Sequence, residues 1–78
     1  MTRKALLEEL AFLLDVPENT LDEKTKFREL DNYNSLVAIG IVSMLEEKVG
    51  TKLDIWQLRN LKNVGELMDL VGREKFEE

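Results

Sequence analysis

At 78 residues the chain suits one small domain, and its 44% apolar content can fill one modest core. It contains no Cys and no His. That excludes disulfides, thiolate metal sites, and Ser-His-Asp or Cys-His catalysis within the chain. Eleven basic against sixteen acidic residues leave a net charge of −5. Such a surface repels nucleic-acid phosphates and anionic lipids, so no nucleic-acid or membrane partner is expected. No apolar run approaches the roughly 18–20 residues of a membrane span. The N-terminus shows no secretion-type apolar core, so the cytoplasm is the expected location.

The first helix is predicted over residues 3–14, with Thr2 as its cap and Leu6, Leu10, Leu13 and Leu14 forming an apolar stripe. Pro17 disfavours helical geometry at Val16 and predicts a stop near Asp15. Residues 15–34 then form a long connection. Val16, Leu21, Phe27 and Leu30 are spaced along it like anchors, which predicts an ordered loop. Thr20-x-x-Glu23 has the form of a capping box and predicts the start of one short turn.

The second helix is predicted over residues 35–49 and ends at Gly50. At about 100° per residue, Ala38, Ile39, Ile41, Val42, Leu45 and Val49 share a broad apolar arc. Leu36, Gly40, Ser43 and Glu47 lie opposite. A solvated face normally carries charge throughout, so this one reads as a docking surface. Alternatively, Gly40 and Ser43 make room for a neighbouring helix of the same domain. Asp54 can cap a brief third helix, Ile55 to about Leu61, and Asn63 a fourth, Val64 to about Phe76, with residues 73–78 expected to fray. Nothing alternates with period two, so the predicted class is all-α: a four-helix bundle with a long loop between helices 1 and 2 and a short third helix. Its expected core is Leu6, Leu10, Leu13, Leu14, Phe27, Leu30, Ile39, Val42, Leu45, Leu61, Val64, Leu67 and Val71.

Little in the chain resembles catalytic machinery. The pairs Glu8-Glu9, Asp22-Glu23, Glu46-Glu47 and Glu77-Glu78 are adjacent residues. Helical neighbours of this kind diverge by about 100°, so the pairs read as solvated charge. No spacing fits a metal site or a phosphate-binding glycine loop. Trp56 reads as an interface anchor or a partly buried core residue, and Tyr33 as lining the approach to Ser35 or packing the loop. The informative stretch is Asn34-Ser35-Leu36. A serine in the first turn of a helix presents its hydroxyl beside free backbone amides, where an anionic adduct such as a phosphodiester is favoured. The simpler alternative is that Asn34 or Ser35 is only a cap. A serine with no base of its own can still accept a group if another enzyme supplies base and electrophile, which points to a modified protein rather than an enzyme.

Phe27-Arg-Glu-Leu30, Asn34-Ser35-Leu36, Leu45-Glu-Glu-Lys-Val49 and Leu61-Lys-Asn-Val64, in this order and layout, resemble the acyl carrier proteins. The resemblance covers nearly the whole chain and is closest over residues 27–71. It implies a single carrier domain over 1–78 that is monomeric and works in fatty-acid or polyketide-type biosynthesis. It implies that Ser35 holds 4′-phosphopantetheine, a covalent arm donated from coenzyme A by a phosphopantetheinyl transferase. The arm's thiol carries acyl groups as thioesters, and the other partners are acyl-activating or acyl-transferring enzymes. Asn34, Leu36, Gly40, Ser43, Glu46 and Glu47 become the partner-facing residues. The chain departs from the family in having Asn34 where Asp is usual, which keeps the cap and drops the charge. The front of helix 2 is also less acidic than in fatty-acid carriers, which implies a dedicated partner. The Asn34 departure leaves a second reading in place, a carrier-like helical module that is never modified and acts through protein–protein interaction.

Overall fold

The computed structural model describes residues 1–77. The first helix, α1, spans Arg3–Leu14 and is capped by the Thr2 hydroxyl, which accepts the Ala5 amide at 3.0 Å. Leu6, Leu10, Ala11 and Leu14 are fully buried along one stripe. Asp15 ends the helix in the left-handed conformation (φ 57°). The amides of Asp15 and Val16 fold back onto the carbonyls of Phe12 and Ala11, the reciprocal pattern that satisfies the last orphan carbonyls of a helix. Pro17 follows, as the sequence predicts.

The connection from Asp15 to Asn34 is ordered by its own turns and by three ties to the helices. A 3₁₀ turn spans Glu18–Thr20, and the Thr20 hydroxyl donates to the Pro17 carbonyl at 2.7 Å. Thr20 therefore closes a turn rather than opening one, which corrects the expected capping box. Its role is set by Pro17, whose fixed φ starts the turn three residues earlier. Asp22 organises the next turn, its carboxylate accepting the Lys24 amide at 2.8 Å. Phe27 is then driven fully into the core, and Tyr33 meets its ring edge-on at 5.9 Å. The ties are the Asn32 side-chain amide donating to the Leu14 carbonyl, Arg28 donating to the Leu61 carbonyl, and two bonds onto the fourth helix described below.

α2 spans Ser35–Val49, α3 Ile55–Leu58 and α4 Val64–Val71. Among the described residues there is no strand, only an isolated bridge between Thr2 and Glu77. α3 is shorter than expected. Asp54 and Gln57 close a reciprocal capping box, and the chain then tightens to bonds three residues apart, Arg59 to Trp56 and Leu61 to Leu58. Leu58 and Leu61 are buried by that tightening. α4 also ends early, because Gly72 takes φ 116°, a conformation open to glycine and closed to a helix.

The segment after Gly72, expected to fray, is held through Glu77. Arg73 bonds Asp69 at 2.7 Å and Glu23 at 2.8 Å. These two acceptors, Asp69 foremost, hold its pKa above the ordinary arginine value. The Glu77 amide donates to the Met1 carbonyl, and the Arg3 amide to the Glu77 carbonyl. Glu78, and with it the Glu77-Glu78 pair as a pair, lies outside the described residues.

The core contains the expected Leu6, Leu10, Leu14, Phe27, Leu45, Leu61, Val64, Leu67 and Val71, with Leu13, Leu30 and Val42 partly buried around it. Ile39 is the exception at 52% exposed, and Met44 is buried in its stead. The inward arc of α2 runs through Val37, Ala38, Ile41, Met44 and Leu45; it shares Ala38, Ile41 and Leu45 with the projected arc and is rotated enough to exchange Ile39 for Met44. Between Leu36 and Leu45 no charged residue marks a boundary, so apolarity alone cannot orient the helix. Leu45→Ala should cost about 2–5 kcal/mol, a large share of the roughly 5–15 kcal/mol holding a domain together. Ile39→Ala should stay within about 0.5 kcal/mol of the parent, as exposed substitutions do. Thermal melting of the two variants checks the observed arc, and an Ile39→Ala loss as large as that of Leu45→Ala would restore the projected one.

Candidate functional site

The heads of α2 and α4 are built alike and finished differently. In α4 the Asn63 side chain accepts the Glu66 amide at 2.9 Å. The two preceding amides, of Val64 and Gly65, donate to loop carbonyls of Thr25 (3.1 Å) and Glu23 (2.8 Å). A Cβ on residue 65 would stand 3.2 Å from that Glu23 oxygen, so glycine permits the approach. In α2 the Asn34 side chain likewise accepts the Val37 amide at 2.9 Å, and the first helical bond runs from Ala38 to Asn34. The amides of Ser35 and Leu36 come before that bond. Among the described residues, no group accepts from them. One helix start is thus closed by the loop, and the other is left open to solvent with an exposed serine at its first position. Orphan amides and the positive end of the helix dipole together favour an anion there.

Ser35 and Asn34 border a cavity of about 230 Å³ together with Arg28, Tyr33, Ala38, Ile55 and Arg59. Tyr33 thus fulfils both of its expected roles, packing on Phe27 and lining the approach to Ser35. The lining includes two arginines and no acidic residue. No spacing signal links Arg28, seven residues before Ser35 across an irregular loop, or Arg59, 24 residues after it, to the serine; the packing of loop and α3 against α2 brings them together. A larger cleft of about 680 Å³ lies elsewhere, bordered by Arg3, Asp22, Glu23, Lys24, Met68, Arg73 and Phe76. Its charges are mixed and partly engaged with each other through the Arg73–Glu23 ion pair, so it offers no comparable site. Among the described residues, no group of His, Cys, Asp and Glu could hold a metal ion, and no helix is long and apolar enough to cross a membrane.

The expected docking residues separate into two groups. Leu36 is 77% exposed, Ser43, Glu46 and Glu47 are exposed, and Ile39 joins them on the outward face. Ser43, Glu46 and Glu47 border one shallow depression. Gly40 does not belong with them. It is half-buried against α1, where an added Cβ would come 3.1 Å from Leu13 Cδ2. Its small size lets α1 and α2 pack closely, which was the alternative reading of that residue. Asn34 is exposed, but its side-chain oxygen is engaged as the helix cap. Trp56, 64% exposed with the Arg59 guanidinium 4.8 Å from its ring centroid, is a surface residue rather than a core one.

Two comparisons with known proteins match the sequence. The family described as "Phosphopantetheine attachment site" matches residues 4–71. A curated acyl carrier protein from Saccharopolyspora erythraea is 34% identical over 74 residues, spanning 90% of this chain and 78% of the relative. No solved structure matches the chain.

The cap at Asn34 can be tested apart from any function. Asn34→Ala removes the acceptor and should cost about 0.5–2 kcal/mol. Asn34→Asp keeps the acceptor and adds a negative charge at the helix start, worth about 0.3–1 kcal/mol. Melting temperatures should therefore fall in the order Asp, Asn, Ala.

Proposed function

This chain belongs to the acyl carrier proteins, and we propose that it holds its 4′-phosphopantetheine on Ser35. The observation that carries the assignment is the open start of α2, where an exposed hydroxyl sits beside two unsatisfied amides. A phosphodiester formed there keeps one negative charge, and the Ser35 and Leu36 amides with the helix dipole stabilise it. When bound, the group supplies a terminal thiol on which acyl groups are carried as thioesters. The chain has no cysteine that could supply one.

The chain's own contribution to loading is the hydroxyl and its presentation. With no histidine anywhere in it, the base that takes the Ser35 proton is assigned to a phosphopantetheinyl transferase drawing on coenzyme A. In this reading the chain is a single carrier domain, monomeric and cytoplasmic, with no activity of its own, serving acyl-activating or acyl-transferring enzymes. Those partners dock on the outward face of α2. Leu36 and Ile39 supply apolar contact next to Ser35, while Glu46 and Glu47 steer a basic patch on the partner. The front of this face has no acidic residue, which suits a dedicated partner in a specialised pathway.

Incubation with coenzyme A and a broad-specificity transferase should raise the intact mass of the parent by one arm and leave Ser35→Ala unchanged. An equally loaded Ser35→Ala protein would move the site elsewhere. A parent that refuses the arm while Asn34→Asp accepts it would support the unmodified interaction module.

The docking face makes a separate demand. Leu36→Ala should slow arm or acyl transfer while melting like the parent, because its side chain is mostly in solvent. Glu47→Lys should slow association at low salt and recover as salt is added. Parent-like rates for both with a cognate partner at low salt would remove this face from the reading.

A further inference from the structure

Four arginines occur in the chain, and they divide by what they touch. Arg73 pairs with Asp69 and Glu23, and Arg3 with Glu23. Arg28 and Arg59 have no carboxylate within ion-pair distance among the described residues, in a protein whose net charge is −5. These two border the cavity at Ser35. Neither is a loose surface arginine. One nitrogen of Arg28 donates to the Leu61 carbonyl at 3.0 Å, which ties the loop to the residues after α3. The Arg59 guanidinium lies 4.8 Å from the Trp56 ring centroid, a cation–π contact that leaves its N–H edges free.

An arginine has five N–H donors, so both keep donors to spare. Two tethered arginines with unused donors, on the border of a cavity with no acidic residue in its lining, suit a phosphate in charge and donor chemistry. We propose that Arg28 and Arg59 grip the phosphodiester on Ser35 and set the arm along the Ala38 and Ile55 side of α2. They are positioning residues, and the inference rests on Ser35 carrying the arm.

The test uses full-length protein loaded from coenzyme A. The parent, Arg28→Gln, Arg59→Gln and the double variant are first weighed intact, so failure of the Ser35 reading shows as a missing arm before any other measurement. The phosphorus-31 resonance of each loaded protein is then followed as salt is raised, against free 4′-phosphopantetheine as the reference. At low salt the parent resonance should stand apart from the reference. It should move towards it in each single variant, furthest in the double variant, and salt should move the parent the same way. Amide signals of Ala38 and Ile55 should shift on loading in the parent and less in the double variant. Among the described residues the Arg59 side chain makes no hydrogen bond or ion pair, only its exposed contact with Trp56, so Arg59→Gln should melt close to the parent and decides the matter alone if Arg28→Gln does not fold. A resonance identical in parent and Arg59→Gln at low salt would overturn the proposal and leave that arginine for a carboxylate on a partner protein.

Discussion

The structure depends on ordering the connection between α1 and α2. Asn34 and Ser35 stand at its far end, so their position is no better defined than the loop that delivers them. Fixing each backbone residue costs roughly 1–2 kcal/mol, and a stretch this long has too few apolar residues to offset that by burial alone. It is held instead where backbone meets backbone. The carbonyls of Glu23 and Thr25 accept the Gly65 and Val64 amides, and one side chain adds to this, the Asn32 Nδ2 donating to the Leu14 carbonyl at the end of α1. Phe27, fully buried, fixes the middle of the loop. The loop thereby finishes one helix start, that of α4, and presents another.

That division of labour is what marks the head of α2, and not that of α4, as the proposed attachment position. Both helix starts use an asparagine that accepts the amide three residues on. At α4 the remaining amides already have partners, and a ligand would have to displace backbone carbonyls. At α2 they have no acceptor among the described residues, so an anion can bind there without breaking a protein bond. The same open start explains how the chain tolerates Asn34 where the family commonly has Asp. The cap needs an oxygen acceptor, which both residues provide, so the fold does not depend on the charge.

Much of this was legible in the sequence because the signals were local. Thr2, Asn34, Asp54 and Asn63 each precede an apolar run and each became the cap that its position implied. Pro17 and Gly50 mark the ends of α1 and α2 where expected, whereas Gly72 ends α4 before the expected Phe76. The failures arose where the answer depends on three dimensions. The run from Leu36 to Leu45 is apolar on nearly every side, so its inward face is chosen by what packs on it. Leu13 of α1 demands a small residue at Gly40, and with that contact fixed, Met44 turns in and Ile39 turns out. The outward turn of Ile39 enlarges the apolar surface beside Leu36. Arg28 and Arg59 were silent for a related reason, since no spacing rule links them to Ser35.

The resulting surface is polar along the length of α2 in a way that composition conceals. Arginines and open amides lie at its N-terminal end, Leu36 and Ile39 follow, and Glu46 and Glu47 stand near its C-terminus. At a rise of 1.5 Å per residue, Ser35 and Glu46 are about 17 Å apart along the axis. That is about twice the screening length of roughly 8 Å at physiological ionic strength. The two charged ends therefore act nearly independently. The acidic end thus does little to offset the dipole and the open amides at the serine. A net charge of −5 describes neither end, and it is their separation along one helix that lets a small acidic protein keep an anion-favouring site.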